Sequence, residues 1–285
     1  MDEQLCYAYA VVESSAPLDL AGVRGVADAP VALVRSGAVA AAVSAVPWEG
    51  FSEAALKVGL EDLDWLEATA RAHHSVIETL AAHTTVLPLR LATVYLDEAR
   101  VRQMLGEREA HFAALLGRLA DHVEWGVKVY AEVPPSSPHT TSPSAAQPPS
   151  EAPPSESATA GRGPAAGADA GRAYLRRRRY QRQAREDAWR VAEEAVRRTE
   201  RQARGLAVER TRHRPQQGGL TRVPGENVAN DAYLVPRRLS EEFRTRMLHA
   251  ADGLPGVRVD VTGPWAPYSF TAPLAPGAPE GAGQR

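Results

Sequence analysis

The residues best equipped to ligate a metal or attack a substrate are eight histidines and one cysteine, Cys6. His73 and His74 are neighbours in a segment patterned as helix, so their side chains point about 100° apart. His83 is out of register with both. None of them forms the i,i+4 pair of a zinc helix, and no second cluster of acids and histidines completes a site. His73 falls on an apolar stripe and reads as a hydrogen-bonded core histidine, not as a ligand or base. Cys6 lies inside an apolar strand-like run and reads as a buried, inert thiol. The phosphate loop GxxxxGK[ST], the zinc helix HExxH and the nucleophile elbow GxSxG are all missing. Gly161-Arg162-Gly163 with Gly167 mimics a glycine loop, but no strand precedes it. The expectation is a non-enzymatic protein with no catalytic residue, cofactor or metal. An acid–base pair assembled between distant segments is the remaining enzymatic alternative.

Two strings carry recognition chemistry instead. Arg172 to Arg214 is dense in arginine and includes the run Arg176-Arg177-Arg178-Arg179. It reads either as a footprint for an acidic partner or as a solvated helix surface with pairs such as Glu193–Arg197 and Glu194–Arg198. The four-arginine run has no matching acids. Gly263-Pro264-Trp265-Ala266-Pro267-Tyr268-Ser269-Phe270 joins two rigid prolines to three aromatic rings. It suits a structural latch across a sheet or between domains, or a partner-binding element.

The elements that must position these strings are legible from periodicity. Leu5–Val12, Val31–Arg35 and Val39–Val46 read as strands, the last two joined at Ser36-Gly37. A helix of about seven turns should carry Leu63, Leu66, Ala70, His73, Ile77 and Leu80 on its core side. A strand-like run Leu89–Tyr95 follows Pro88, which places its start at an edge. Asp97 should cap a second helix bearing Val101, Leu105, Phe112, Leu115, Leu116 and Leu119. This first unit reads as a sheet with helices on one face. In the second, Trp125, Val127 and Val129 should face a core, with Glu124 and Lys128 opposite. A helix from about Arg172 to Arg204, strands near Ala207–Arg212 and Ala232–Val235, a helix capped by Ser240 and a strand Val257–Thr262 complete it. The order βαββαβ is ferredoxin-like.

Between the first strand and first helix of the second unit, Ala131 to Gly171 is almost all Pro, Ser, Ala, Thr and Gly, with no apolar period. Such a stretch cannot bury enough surface to offset the entropy of ordering it. The fold class is therefore α+β in two domains, 1–121 and 122–271. The second contains a disordered insertion at about 132–170, and 272–285 forms a disordered tail. Net charge is −2 over 285 residues, which gives no general bias toward nucleic acid or anionic lipid. One cysteine suits a reducing cytoplasm, and no apolar run approaches the ~18 residues of a membrane span. The second unit's strands lack the aromatic RNA-binding signature, so a nucleic-acid-binding regulator is only an alternative.

Several of these strings, in order, make the chain resemble the GvpL/GvpF family of gas vesicle proteins. They are Asp64-Trp65-Leu66 with His73 beyond, Val86-Leu87-Pro88-Leu89-Arg90, Glu124-Trp125-Gly126-Val127-Lys128, Gly171-Arg172-Ala173-Tyr174-Leu175, Ala232-Tyr233-Leu234-Val235, and Gly263 to Phe270. The motif residues on which interaction would rest are Trp65, His73, Pro88, Arg90, Trp125, Lys128, Arg172, Tyr174, Tyr233, Trp265, Tyr268 and Phe270, with Arg176 to Arg179 beside them. Leu91-Ala92 stands where the family tends to have Phe-Gly, and Ala266-Pro267 where it tends to have Pro-Pro. The resemblance implies a non-enzymatic assembly or minor structural protein, cytoplasmic and associated with the vesicle. It also implies contact with the hydrophobic shell protein and with other accessory proteins. Sheets with an open face or edge would hold the shell subunit by strand pairing or in an apolar groove. A scaffold that binds other accessory proteins through the arginine-rich helix is the alternative.

Overall fold

The computed structural model describes residues 3–132, 165–215 and 225–271. Most of the expected insertion and all of the expected tail lie outside them. The chain forms two antiparallel sheets with helices.

The first sheet is built on β1 (Gln4–Glu13), whose eight central residues are all buried. β2 (Ala32–Ser36) and β3 (Val39–Pro47) form a hairpin, and β3 pairs with β1. Gly37 at the hairpin turn has φ +58, and Glu109 Oε1 accepts from Ala38 N at 2.7 Å. The sequence predicted one helical layer; the structure has two. Three helices, α1 (Trp48–Phe51), α2 (Glu53–Gly59) and α3 (Leu63–Ala81), follow β3. Phe51, Val76, Ile77 and Leu80 pack on one face of the sheet. The other face meets Val101, Leu105, Phe112 and Leu116, carried by α4 (Glu98–Glu107) and α5 (Glu109–Leu119). Ala8, Ala10 and Ala40 to Ala42 are small on both faces, which gives each layer room to approach the strands.

The expected helix carrying Leu63 to Leu80 is α3, 19 residues long and so shorter than seven turns, because a separate capped helix precedes it. Ser52 accepts from Ala55 N ahead of α2, and Asp62 accepts from Asp64 N and Trp65 N ahead of α3. Asp97 caps α4 as expected. The run Leu89–Tyr95 is not one strand. β4 (Leu87–Pro88) and β5 (Val94–Tyr95) each pair briefly with the second edge of β1. Pro88 thus lies in an edge strand, where a missing N–H is tolerated.

The second sheet contains β6 (His122–Ala131), β7 (Glu209–His213), β8 (Glu226–Pro236) and β9 (Val257–Trp265), in the order β7-β8-β6-β9. α6 (Ala165–Ala203) follows β6, and α7 (Ser240–Leu248) lies between β8 and β9. α6 starts at Ala165 instead of Arg172, so six residues assigned to the insertion are helical; their alanines are strong helix formers. Trp125, Val127, Tyr233 and Val235 share a core with Phe243 and Met247. Ser240 is the first residue of α7, with Leu239 as its cap. Its hydroxyl instead accepts from Trp125 Nε1 at 2.8 Å. Glu124, on the face opposite Trp125 as expected, is buried where the two sheets meet. Ala232 and Leu234 join Phe112, Leu115 and Leu116 in one cluster, so α5 packs against both sheets.

Candidate interaction site

The aromatic string that ends the described chain runs along this junction. β9 shifts register against β6 at Gly263, which has φ +132 and lies so close to β6 that a Cβ would be 2.8 Å from Glu124 O. Only glycine fits both conditions. Trp265 then lies beside His74 with ring centroids 5.3 Å apart, and the Tyr268 hydroxyl is 3.3 Å from His74 Nδ1. Ala266 packs with the α3-side core of the first sheet. Phe270 is buried in the cluster that joins α5 to β8. Arg118 of α5 donates to Phe270 O and pairs with Glu209 of β7 at 3.4 Å. A cleft of about 220 Å³ opens beside the string, lined among others by Glu78, Val86, Asp121, Arg237, Pro264 and Pro267. Arg237 crosses it to donate to Ala81 O at 3.1 Å.

One cluster at the junction combines an acid, a serine and a histidine. Glu124 accepts from Ser269 N and from Ser269 Oγ, both at 2.7 Å, and His213 Nε2 lies 3.0 Å from the same Oγ. Burial raises the Glu124 pKa, while the Ser269 bonds and His213 work against it. The connectivity is wrong for a nucleophile. In a catalytic triad the acid orients the histidine and the histidine takes the serine proton. Here the carboxylate grips the serine itself by two bonds and fixes it as a tether.

His73 is buried, with Nδ1 3.0 Å from the Tyr7 hydroxyl, and its ring lies among Tyr7 and Tyr9. Burial drops its pKa from 6.5 to about 4, with His74 acting in the same direction and a backbone hydrogen bond at Leu89 against it. It is therefore neutral at pH 7 and acts as a hydrogen-bonding core residue. Burial pushes the Cys6 thiol up to about 11, far from a reactive thiolate. Among the described residues no group of three or more His, Cys, Asp or Glu is placed to hold a metal, and no helix is long and apolar enough to cross a membrane.

The residues singled out by sequence do not converge on one place. Trp265, Tyr268 and Phe270 form the junction. Trp125 and Tyr233 are core residues of the second sheet, with Arg210 over the Tyr233 ring. Trp65 packs against Gly59 and lies 5.9 Å from the Phe51 ring. Arg90 is exposed in the β4–β5 connection and Lys128 is half-buried on β6. Arg172 and Tyr174 belong to α6, the side chain of Tyr174 falling outside the described residues. Arg176 to Arg179 are exposed on the same helix. Glu194 pairs with Arg197, Arg198 and Arg201, a wider network than the Glu194–Arg198 contact expected.

Periodicity misplaced one feature. Leu63 was expected in the core, yet it is 77% exposed beside Val58 at 71% and Leu60 at 45%. The capped break between α2 and α3 puts all three in one turn. The cap residue Asp62 was the available signal, because a helix restarting there need not continue the apolar stripe backward.

The family described as "Gas vesicle synthesis protein GvpL/GvpF" matches residues 5–272. "Gas vesicle protein L" of Streptomyces sp. (strain CB03234) is 43% identical over 270 residues, covering 94% of this chain and 93% of that one. "Gas vesicle protein F" of the same strain is 33% identical over 124 residues, 43% of this chain and 47% of that one. The fold is similar to crystal structures of GvpF from Microcystis aeruginosa (TM-score 0.61, 19% identity, 94% and 99% coverage) and from Anabaena sp. PCC7120 (TM-score 0.58, 17% identity, 94% and 96% coverage).

Proposed function

Because the chain belongs to the GvpL/GvpF family of gas vesicle proteins, we propose that it is a non-enzymatic assembly protein. It holds the hydrophobic shell subunit in the cytoplasm while a vesicle nucleates or grows. We read residues 1–121 and 122–271 as its two domains, and the β7-β8-β6-β9 order with two crossing helices as ferredoxin-like.

The observation that carries this reading is the apolar turn of Val58, Leu60 and Leu63. The first sheet offers no open face, since helices cover both sides, and the second has its outer face partly closed by α5. An open-sheet groove therefore gives way to an exposed patch. Three large aliphatic side chains in one turn stay in water although the adjacent Trp65 and Phe51 pack inward. Clustered exposed apolar side chains mark contact surfaces more often than scattered ones do. A shell subunit rich in unpaired β surface has an aggregation problem that such a contact relieves.

The test is Val58→Asp, Leu60→Asp and Leu63→Asp together in the full chain. These positions are exposed, so the unfolding midpoint should hold within about 0.5 kcal/mol per site. Co-purification with the shell protein from cells expressing the vesicle gene set should be lost. Undiminished retention by the triple variant would overturn the assignment of this turn.

A further inference from the structure

α6 is two different helices in one. From Ala188 onward it is anchored: Ala192, Ala195, Thr199 and Ala203 are buried against the second sheet. Ahead of that, residues 175–183 are all exposed, with Leu175 at 63% and Tyr180 at 77%. This outer part carries Arg176, Arg177, Arg178, Arg179 and Arg182, and no acid occurs between Arg172 and Arg185. At 100° per residue the five arginines point to every side of the helix. Arg182 pairs with Glu186 at 3.5 Å, both side chains exposed. Arg178 and Arg182 are i,i+4 neighbours, and Arg176–Arg179 and Arg179–Arg182 are i,i+3, so their like charges oppose the helix.

We propose that the outer part of α6 is the docking site for an acidic polypeptide segment, one in which Asp and Glu alternate with apolar side chains. Three observations select a polypeptide. The five arginines carry +5 of a chain whose net charge is −2, so the remainder carries −7. A long polyanion reaching past the helix would meet that negative remainder, whereas a short acidic segment meets only the arginines. Leu175 and Tyr180, exposed among the charges, give apolar contacts that suit side chains better than phosphates. The same helix already shows the chemistry one turn further on. Arg185 grips both oxygens of Glu226 at 2.9 Å, and Trp189 Nε1 donates to Glu226 Oε2 at 2.9 Å. A guanidinium fork on a carboxylate beside an aromatic ring is thus built into α6. The site is remote in sequence from the apolar turn at 58–63, so the two assignments fail independently.

The experiment titrates the full chain with a fluorescein-labelled peptide of repeated Glu-Glu-Leu, read by anisotropy at low and high salt. A short DNA duplex and phosphatidylserine vesicles run in parallel. The comparison variant is Arg176→Gln, Arg177→Gln, Arg178→Gln and Arg179→Gln, which removes charge and keeps helix propensity. The peptide should bind, weaken with salt, and bind the variant on the order of tenfold or more less tightly. Far-UV circular dichroism should show a gain in helix on binding to the wild type. Equal binding by the variant, no peptide binding, or tighter binding of the duplex or the vesicles than of the peptide would each overturn the proposal.

Discussion

His73 and Glu124 are buried titratable groups whose stability contributions have opposite signs. Each has its pKa moved away from its charged form by burial. For His73 the unfolded chain takes a proton near 6.5 and the folded protein only near 4. Its contribution is therefore complete above 6.5 and is lost as pH falls toward 4, by on the order of 3 kcal/mol. Glu124 holds its proton more tightly when folded, so its penalty grows as pH rises above the ordinary carboxylate range. Whole-protein curves mix the two, and a variant separates them. His73→Gln keeps a polar partner for Tyr7 but takes up no proton. The stability gap between wild type and variant should narrow by roughly 2–3 kcal/mol between pH 7 and pH 4.5 in urea unfolding. A gap that stays constant across that range would remove His73 as the titrating group.

At the scale of elements, the β4–β5 connection shows how a strand becomes two fragments. The apolar run Leu89–Tyr95 has strand composition, but Ala92 sits at φ +61. Its N–H donates to the Tyr7 hydroxyl at 3.0 Å, which pins the turn against β1. An L-residue in the left-handed region costs about 1–2 kcal/mol, and glycine escapes that cost. Glycine at position 92 would therefore relieve this backbone cost. Ala92→Gly should raise stability by up to about 1 kcal/mol, seen as a higher urea midpoint, and a lower midpoint would contradict the strain argument. The alternating strand β6 and the cap at Asp97 were legible because one local signal determines each. Positive φ at Ala92, the second helical layer and the burial of Glu124 depend on what arrives from elsewhere in the chain, and no window of sequence contains them. Among the site residues, the aromatic string was legible as a latch from its prolines and rings. Its partners His74, Glu124 and Arg118 were not, since they lie more than a hundred residues away.

The whole molecule is held together by a core that ignores the boundary between sheets. Leu234 of β8 is 1% exposed, and its cluster includes Val11 and Val43 of the first sheet, Leu116 of α5 and Phe270 of the terminal turn. Polar ties cross the same junction at Tyr268–His74, Arg118–Phe270 and Arg237–Ala81. Two bodies joined only by a linker would unfold separately; bodies sharing a dry core lose it together. Leu234→Ala removes a fully buried side chain where neither sheet can collapse to fill the space without the other. It should cost about 2–5 kcal/mol. The tryptophans divide between the bodies, Trp48 and Trp65 in the first and Trp125, Trp189 and Trp265 in the second. With single-tryptophan variants as reporters, the urea transitions of both bodies should shift together and stay coincident with far-UV circular dichroism. If Leu234→Ala lowered only the second body's midpoint, the shared cluster would be a contact surface and not a common core.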